Sequence, residues 1–461
     1  MRVSIKHGDR MAAPSSDNPT LLHRLEYGAF RTVEGIMGLL PMDSCALLGR
    51  LCGRIFQFLS PKYRRLIRRN LRIATAENPL PPRELDQLID ETFRRVGANF
   101  LSSLKSATVT SEELSKSIEI SRCDLLSREE AGNGLVVIMS HMGNWEIMAK
   151  LSGLHSGISR FGAIYRPLDN PLMDRLTNKR RAADGCQLFS RHDGFHAPIA
   201  LLRSPGPLGV LSDQRAGAQG VVLPFFGKLT TSTPLPDLMA RRAKAEVCTL
   251  AITTIGNGRW RAEMHSLGKS PGVAGMVKAM ESTMRSSLAD VFWFHDRWRA
   301  DRIRPLSFYT KFDPEIARQA SVPMRVLLTL RDDSQEDADV LFEALFAERP
   351  DLRIEWLTSL PGEHPDPRVV KHAWDHSAPD EHASGALDRI DDSHPAPLDA
   401  ALLFGGTPVI AKAAKRAGLR SIIGCDVQGK PWTRSFPYPK CPDEWRDIAS
   451  KLAEVPNPKK A

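Results

Sequence analysis

The middle of the chain alternates short apolar runs with amphipathic stretches. The apolar runs are rich in β-branched residues, as buried strands are, and they lie at Leu135–Met139, 208–211 and 247–255. Helical periodicity follows or precedes these runs at 146–154, 171–183, 237–245 and 275–290. Strands that alternate with helices predict an α/β layer architecture.

The same rhythm restarts beyond residue 320. Apolar, strand-like runs lie at 324–330, 352–358, 400–404 and 421–423, and helical patterns at 336–348 and 408–417. This pattern predicts a second, smaller Rossmann-like βαβ domain. Because Pro305, Pro314 and Pro323 punctuate the chain between the two patterns, we expect a main domain at 76–305, a linker at 306–322 and the second domain at 323–461.

The N-terminal region contains the longest apolar stretch, residues 36–59, but charged residues interrupt it, which argues against an ordinary transmembrane helix. Four apolar residues fall on one helical face: Leu47, Leu51, Ile55 and Phe58. The run at 62–72 then carries six basic residues and no acid. An amphipathic helix before a basic cluster predicts a membrane-attachment region over 1–75 that meets an anionic leaflet. A soluble helix with a solvated basic face is the alternative.

The net charge of +9 is unevenly distributed along the 461 residues. Residues 321–461 contain 18 Lys+Arg and 23 Asp+Glu, so they carry −5 and residues 1–320 carry +14. Residues 1–320 are therefore expected to bind an anionic partner. Nucleic acid is not required to explain this positive charge. The seven cysteines show no CxxC pair and no zinc spacing, which predicts neither a disulfide framework nor a metal site.

The sharpest local motif is SHMGNWE at 140–146, directly after a strand-like run. On one continuous helix His141 and Glu146 would point about 140° apart, so they can meet only if His141 lies in a turn and Glu146 in the first helical turn. Gly143 suits such a turn and Asn144 suits a helix cap. A carboxylate bonded to one imidazole nitrogen leaves the other nitrogen as a base. A histidine in an ordinary loop is the alternative.

Five motif blocks occur in order over about residues 25–305. They are HMGNWE at 141–146, YRPLDNP at 165–171, LSDQ at 211–214, VLPFFG at 222–227 and FWFHDRW at 292–298. Together they resemble the bacterial lipid A late acyltransferases, the lauroyl and myristoyl transferases of lipopolysaccharide assembly. The sequence departs from that family at Pro234 and Pro236, where the family continues into a helix, and at 289–292.

The resemblance implies an O-acyltransferase of an acyltransferase-type α/β fold. It implies transfer of a fatty acyl chain from acyl-acyl carrier protein to a hydroxyl of a lipid A precursor or a similar glycolipid. His141 would be the general base and Glu146 the residue that orients it. Because the acceptor hydroxyl attacks the thioester directly, the reaction needs no enzyme nucleophile. We expect no metal, because no His/Cys/Asp cluster has ligand spacing, and no cofactor beyond the acyl donor.

Further residues are candidates for contacts with the substrates. The candidates for substrate binding are Asn144, Arg166, Arg180, Arg181, Asp213 and Gln214. The candidates for the acyl pocket are Trp145, Phe225 and Phe226. Guanidinium groups match phosphate geometry, although an exposed basic helix face is the alternative for the arginines. The aromatic pair suits a packed core equally well.

The second domain has a weaker resemblance to the N-terminal Rossmann-like domain of heptosyltransferases. It rests on the segments 325–330, 348–357, 399–404 and 424–426. The sugar-nucleotide half of those enzymes is missing, so we expect a degenerate domain for acceptor binding or protein docking. Sugar transfer by this domain is the alternative.

The expected partners are acyl carrier protein, an anionic membrane and the glycolipid acceptor, at the cytoplasmic face of the bacterial inner membrane. The attachment there is expected to be peripheral or monotopic. Two other functions stay open: an acyl-CoA-dependent acyltransferase acting on another glycolipid or a lysophospholipid, and a non-catalytic membrane scaffold for lipopolysaccharide assembly.

Overall fold

A computed structural model of the chain describes residues 18–121, 133–154, 160–183, 185–190, 194–204, 206–331, 334–374, 380–405 and 408–455. The described residues group into two compact units. Unit 1 lies within Met1–Gly53, Arg95–Leu211 and Leu238–Ser270, and unit 2 within Arg54–Arg94, Ser212–Asp237 and Pro271–Ala461. Each unit is described by itself below.

Strands and helices alternate over most of the described chain. The strands are β1 Ile118–Ser121, β2 Leu135–Met139, β3 Phe161–Tyr165, β4 Cys186–Ser190, β5 Pro207–Leu211, β6 Val221–Phe225, β7 Lys228–Ser232, β8 Glu246–Gly256, β9 Arg259–Lys269, β10 Met324–Thr329, β11 Leu352–Thr358, β12 Val369–Ala373, β13 Leu398–Leu403, β14 Ser421–Cys425 and β15 Arg434–Phe436. The helices are α1 Leu21–Leu39, α2 Met42–Leu59, α3 Pro61–Ala74, α4 Pro82–Ser106, α5 Ser111–Ser115, α6 Leu151–Leu154, α7 Pro171–Ala183, α8 His196–Arg203, α9 Leu235–Ala243, α10 Gly272–Arg285, α11 Pro314–Arg318, α12 Gln335–Glu348, α13 Asp380–Asp392, α14 Pro408–Ala417 and α15 Pro442–Ala453. The predicted α/β fold class is confirmed.

Unit 1 contains a seven-stranded sheet in the order β1-β9-β8-β2-β5-β3-β4. Its strands pair in parallel except β8 with β9, which form a long antiparallel hairpin. β2 lies in the middle of the sheet and all five of its residues are buried, as expected for a parallel strand covered on both faces. Its apolar side chains pack with those of β5 and β8, so β2 provides a rigid base for the residues that follow it.

The helices at the start of the chain differ from the sequence prediction. The amphipathic pattern at 36–59 suggests one helix, but α1 ends at Leu39 and α2 begins at Met42. Pro41 lacks an N–H and forces the residue before it into an extended conformation, which Leu40 shows with a ψ of 151°. Among the described residues no helix has both the length and the apolarity needed to cross a bilayer.

Helices α2 and α4 approach each other closely in unit 1. A Cβ placed on Gly97 would lie 2.2 Å from the carbonyl oxygen of Gly49 and 2.9 Å from the backbone nitrogen of Gly53. Because no side chain fits between the two backbones, these glycines fix how closely the helices pack.

Unit 2 contains the β6–β7 hairpin and a six-stranded sheet in the order β12-β11-β10-β13-β14-β15. Every pair in the six-stranded sheet is parallel. The chain fills one half of the sheet outward from β10 and then the other half outward from β13, which is the strand order of doubly wound nucleotide-binding folds. The predicted Rossmann-like arrangement is confirmed and extended by β12 and β15, two short strands with polar residues that the apolar pattern did not reveal.

Arginines of α3 are bound by carboxylates of unit 2. Arg69 bonds Asp399, whose second oxygen accepts a hydrogen bond from Lys228 Nζ at 2.7 Å. Arg72 bonds Asp391. Burial alone would raise the pKa of Asp399, but Lys228 and Arg69 outweigh it and lower that pKa. Part of the basic run at 62–72 therefore stabilises unit 2.

Candidate active site

The candidate base follows the buried central strand of unit 1. β2 ends at Met139, Ser140 is buried, and His141 is partly exposed. Since β2 is parallel to β5 and β8, His141 lies at the carboxyl edge of these strands, where α/β proteins place their sites.

Gly143 makes the turn that the sequence predicts after His141. Its φ is +57°, and an added Cβ would lie 2.3 Å from the carbonyl oxygen of Ile252. Both the backbone conformation and the close approach therefore require glycine. The turn leads into a 3₁₀ helix at Trp145–Lys150 that continues as α6, which places Glu146 in the first helical turn.

Asn144 is almost completely buried and anchors this turn to α4. Its Nδ2 donates to Ser106 Oγ at 3.1 Å, and its backbone oxygen accepts from Ile147 N at 3.2 Å. Asn144 therefore occupies the predicted cap position directly before the helix. Its side chain does not form a capping bond, because Asn144 Oδ1 accepts no hydrogen bond from the described residues. Ser106 was not predicted, since nothing in its local sequence indicates a contact 38 residues away.

An aromatic ring and a guanidinium group accompany His141 and Glu146. The Trp145 ring packs edge-on against the His141 imidazole, with centroids 5.3 Å apart. Arg181 of α7 forms a bidentate pair with Glu146, with Nη2–Oε1 at 2.7 Å and Nε–Oε2 at 3.2 Å. Burial disfavours the charge on Arg181, but the Glu146 carboxylate outweighs it and raises the pKa of Arg181. The arrangement fixes an ion pair five residues after the candidate base.

The three candidate arginines of unit 1 have different surroundings. Arg181 binds Glu146, and Arg180, its neighbour on α7, forms an ion pair with Glu34 of α1. Arg166, after β3, is exposed. Contacts of these arginines with an acceptor phosphate stay a prediction.

The YRPLDNP segment is fixed to α7 by residues that the sequence did not single out. Asp174 accepts the backbone N–H of Leu168 at 2.8 Å, and Asn178 Nδ2 donates to the Tyr165 hydroxyl at 3.2 Å and to Asp174 at 3.0 Å. Helical spacing of Asp174 and Asn178 is the one signal that could have indicated this network. It holds the segment that carries Arg166.

The remaining candidates lie in unit 2. Asp213 is fully buried and Gln214 is exposed. Phe225 and Phe226 are buried, with centroids 4.9 Å apart, and they pack against Trp293 and Trp298. The aromatic pair thus belongs to a packed core of unit 2, and a role in an acyl pocket stays a prediction.

A fully buried arginine, which the sequence analysis placed only within a motif, lies against this aromatic cluster. The guanidinium of Arg297 lies 4.6 Å from the ring centroid of Phe225 and donates to Ser232 Oγ at 2.9 Å. Burial lowers the pKa of Arg297 to about 10, although the charge of Asp213 opposes this shift. Asp213 and Arg297 thus supply opposite charges to the interior of unit 2.

Metal binding finds no support among the described residues. The histidines, cysteines and carboxylates of the described ranges form no group of three that could hold a metal ion.

Comparison with known proteins gives one family. The family model described as "Bacterial lipid A biosynthesis acyltransferase" matches residues 18–300. Two proteins of Haemophilus influenzae, each named "Lipid A biosynthesis acyltransferase", are 27% and 26% identical over 198 and 206 residues, which are 42% and 44% of this chain. The matched segments span 61% and 64% of those two relatives. The match ends before the six-stranded sheet begins.

Proposed function

Because the chain belongs to the bacterial lipid A biosynthesis acyltransferase family, we propose that it transfers a fatty acyl group to a hydroxyl of a lipid A precursor or a similar glycolipid. The proposed donor is an acyl-acyl carrier protein thioester. One observation carries the proposal: His141 follows the central buried strand, and five residues later Glu146 is fixed by the bidentate contact with Arg181.

In the proposed reaction His141 takes the proton from the acceptor hydroxyl, and the hydroxyl oxygen attacks the thioester carbonyl carbon. The tetrahedral intermediate collapses with cleavage of the C–S bond, and the imidazolium returns the proton to the thiolate. Glu146 stabilises the positive charge that forms on His141, and Arg181 keeps the carboxylate in one orientation. A backbone N–H of the turn at Asn144 is the proposed donor to the oxyanion.

The test is acyl transfer by purified full-length protein with acyl-acyl carrier protein, followed by mass spectrometry of the lipid. His141→Ala and Glu146→Gln should each lower kcat by about 10²–10⁴. His265→Ala is the matched control, because His265 also lies near a carboxylate, Glu263 at 4.0 Å, but on the exposed face of β9. His265→Ala should keep kcat within about twofold of the wild type. Wild-type transfer by both His141→Ala and Glu146→Gln would sink the catalytic proposal and leave the scaffold function.

The donor is tested in the same assay by comparing acyl-acyl carrier protein with acyl-CoA of equal chain length. We expect a higher kcat/KM with the carrier protein. An equal or higher kcat/KM with acyl-CoA would overturn the proposed donor while leaving acyl transfer itself intact.

Attachment to the membrane surface is proposed from exposed apolar residues of α1 and α2. On α1 they are Leu21, Leu22, Leu25, Val33, Ile36 and Leu39, and on α2 they are Leu47, Leu48, Leu51, Ile55, Phe56, Phe58 and Leu59. The four positions predicted from the sequence on α2 are among them. Rows of exposed leucines, isoleucines and phenylalanines on a helix suit the headgroup and acyl boundary of a bilayer.

Flotation with vesicles of phosphatidylethanolamine and phosphatidylglycerol tests this attachment. Leu47→Glu with Leu51→Glu should reduce the bound fraction, because the two carboxylates would enter the apolar layer. Ile303→Glu is the matched control, since Ile303 is 39% exposed but lies in a loop whose backbone oxygen accepts a hydrogen bond from Arg434 of β15. Equal binding of the double variant and the control would contradict the attachment.

A further inference from the structure

Glu34 is a buried carboxylate on α1, a helix in which Glu34 and Met37 are the buried residues. Only 2% of its surface is accessible, whereas Val33 and Ile36 beside it are exposed. One oxygen of Glu34 accepts a hydrogen bond from Arg31 Nη1 at 2.7 Å, and the other forms an ion pair with Arg180 of α7. Arg31 lies on α1 itself, so Arg180 is the partner that links Glu34 to α7. Since a buried charge is costly unless it is paired, Glu34 favours the positions of α1 and α7 in which Arg180 reaches it.

Arg180 precedes Arg181, the arginine that binds the candidate catalytic carboxylate Glu146. Both Arg180 and Arg181 lie in the last turn of α7. Adjacent residues of a helix point about 100° apart, so the same turn is held from two sides, by Glu34 through Arg180 and by Glu146 through Arg181. Displacement at one contact therefore moves the backbone that carries the other.

The contact with Glu146 depends on geometry because it is bidentate. Two parallel N–H···O bonds form only when the guanidinium plane faces both carboxylate oxygens. A shift of the α7 terminus by about 1 Å would leave one bond, and displacements of that size in catalytic groups reduce rates by about 10²-fold.

We propose that Glu34 is a positioning residue of the acyl-transfer site, acting through Arg180 and the end of α7 to keep Arg181 bidentate on Glu146. The proposal rests on the proposed function, in which Glu146 supports His141. Glu34 touches neither substrate nor reacting atoms. Its role is to set the orientation of Glu146, the carboxylate that supports His141 in the proposed reaction.

The test is a double-mutant cycle on kcat and KM with acyl-acyl carrier protein as the donor. Glu34→Gln keeps the shape but removes the charge, and it should lower kcat about tenfold with KM unchanged within about twofold. In an Arg181→Lys background, which keeps the charge but loses the guanidinium fork, Glu34→Gln should change kcat by less than about twofold. A purely structural effect would instead lower kcat by the same factor in both backgrounds.

Glu26→Gln is the matched control. Glu26 also lies on α1 and accepts a hydrogen bond from Asn170 Nδ2 at 3.2 Å. Glu26→Gln therefore removes a charge from a contact of α1 with the residue before α7, but it removes no contact with Arg180. Its kcat should stay within about twofold of the wild type. Should Glu34→Gln fold poorly by circular dichroism, Arg180→Gln removes the same ion pair from the other side. Because Arg180 is also a candidate for binding the acceptor, a lower kcat supports the positioning role only if KM for the acceptor is unchanged.

Three outcomes separate the explanations. Wild-type kcat in both Glu34→Gln and Arg180→Gln, together with loss of kcat in Glu146→Gln, overturns the positioning role but leaves the proposed function intact. Multiplicative losses in the Arg181→Lys background also overturn it. Wild-type kcat in Glu146→Gln sinks the proposed function, and the positioning role with it.

Discussion

Protonation of Glu355 is expected to destabilise unit 2 at acid pH. The carboxylate lies on β11 with 1% of its side chain exposed. It accepts hydrogen bonds from Arg325 Nε at 2.8 Å and Arg353 Nε at 3.0 Å and contacts His372 Nε2 at 2.7 Å. Burial alone would raise the pKa of Glu355, but His372 and the arginines lower it to about 2.

The size of the effect follows from proton linkage. A glutamate in an unfolded chain has a pKa of about 4.3 and each unit of difference corresponds to about 1.4 kcal/mol, so the ionised form of Glu355 stabilises the fold by about 3 kcal/mol. The folded-state pKa is the lower of the two. The stabilisation is therefore fully present above about pH 4.3 and is lost as the pH falls toward 2.

Glu355→Gln isolates this contribution, because it removes the titrating group and keeps the size of the side chain. Urea unfolding of the wild type and the variant, measured from about pH 6 to about pH 2, gives the difference in free energy of unfolding at each pH. This difference should be largest above pH 4.3 and should shrink by about 3 kcal/mol at the acid end. Hydrogen exchange of peptides covering 352–358 assigns the transition to this sheet. A difference that is the same at both ends would refute the reasoning.

Three further predictions concern packing, the active-site turn and the donor. Gly97→Ala should destabilise the protein by about 1–3 kcal/mol, because its Cβ would lie 2.2 Å from Gly49 O. Thermal unfolding measures this loss of stability. Gly28→Ala is the control, since its Cβ meets nothing within 4 Å and should cause no such loss. Gly143→Ala should abolish acyl transfer, since the added Cβ would clash with Ile252 O and move the turn after His141; a wild-type kcat would contradict the role of this turn. The proposed donor protein is expected to be acidic, whereas residues 1–320 carry a net charge of +14. Added salt should therefore weaken its binding, and a Kd independent of ionic strength would count against electrostatic docking.

The strands that could be predicted from the sequence are those whose apolar pattern is continuous. β2 is buried along its length, and β11 is buried except at Arg353. The polar helix α7 was predicted with its observed bounds from helical spacing. β3 and β4 were missed, because each has five residues with mixed exposure, and such a pattern does not distinguish a strand from a loop.

The candidate site was predictable only where its residues are close in the sequence. The turn at Gly143 and the position of Glu146 follow from local spacing. The partners of the charged residues do not follow from local spacing. Arg181 binds Glu146, which is 35 residues away, and Arg180 of α7 binds Glu34 of α1. Helical spacing shows which face a charge occupies, but the identity of the opposite charge depends on tertiary structure.

During synthesis the α3 arginines are made long before the carboxylates that bind them. Arg69 and Asp399 are 330 residues apart, and Arg72 and Asp391 are 319 apart. At about 5–20 residues per second, each arginine leaves the ribosome roughly 15–65 s before its carboxylate has been made. The two ion pairs can therefore form only after most of the chain has been made, and α3 lacks both of these internal contacts until then.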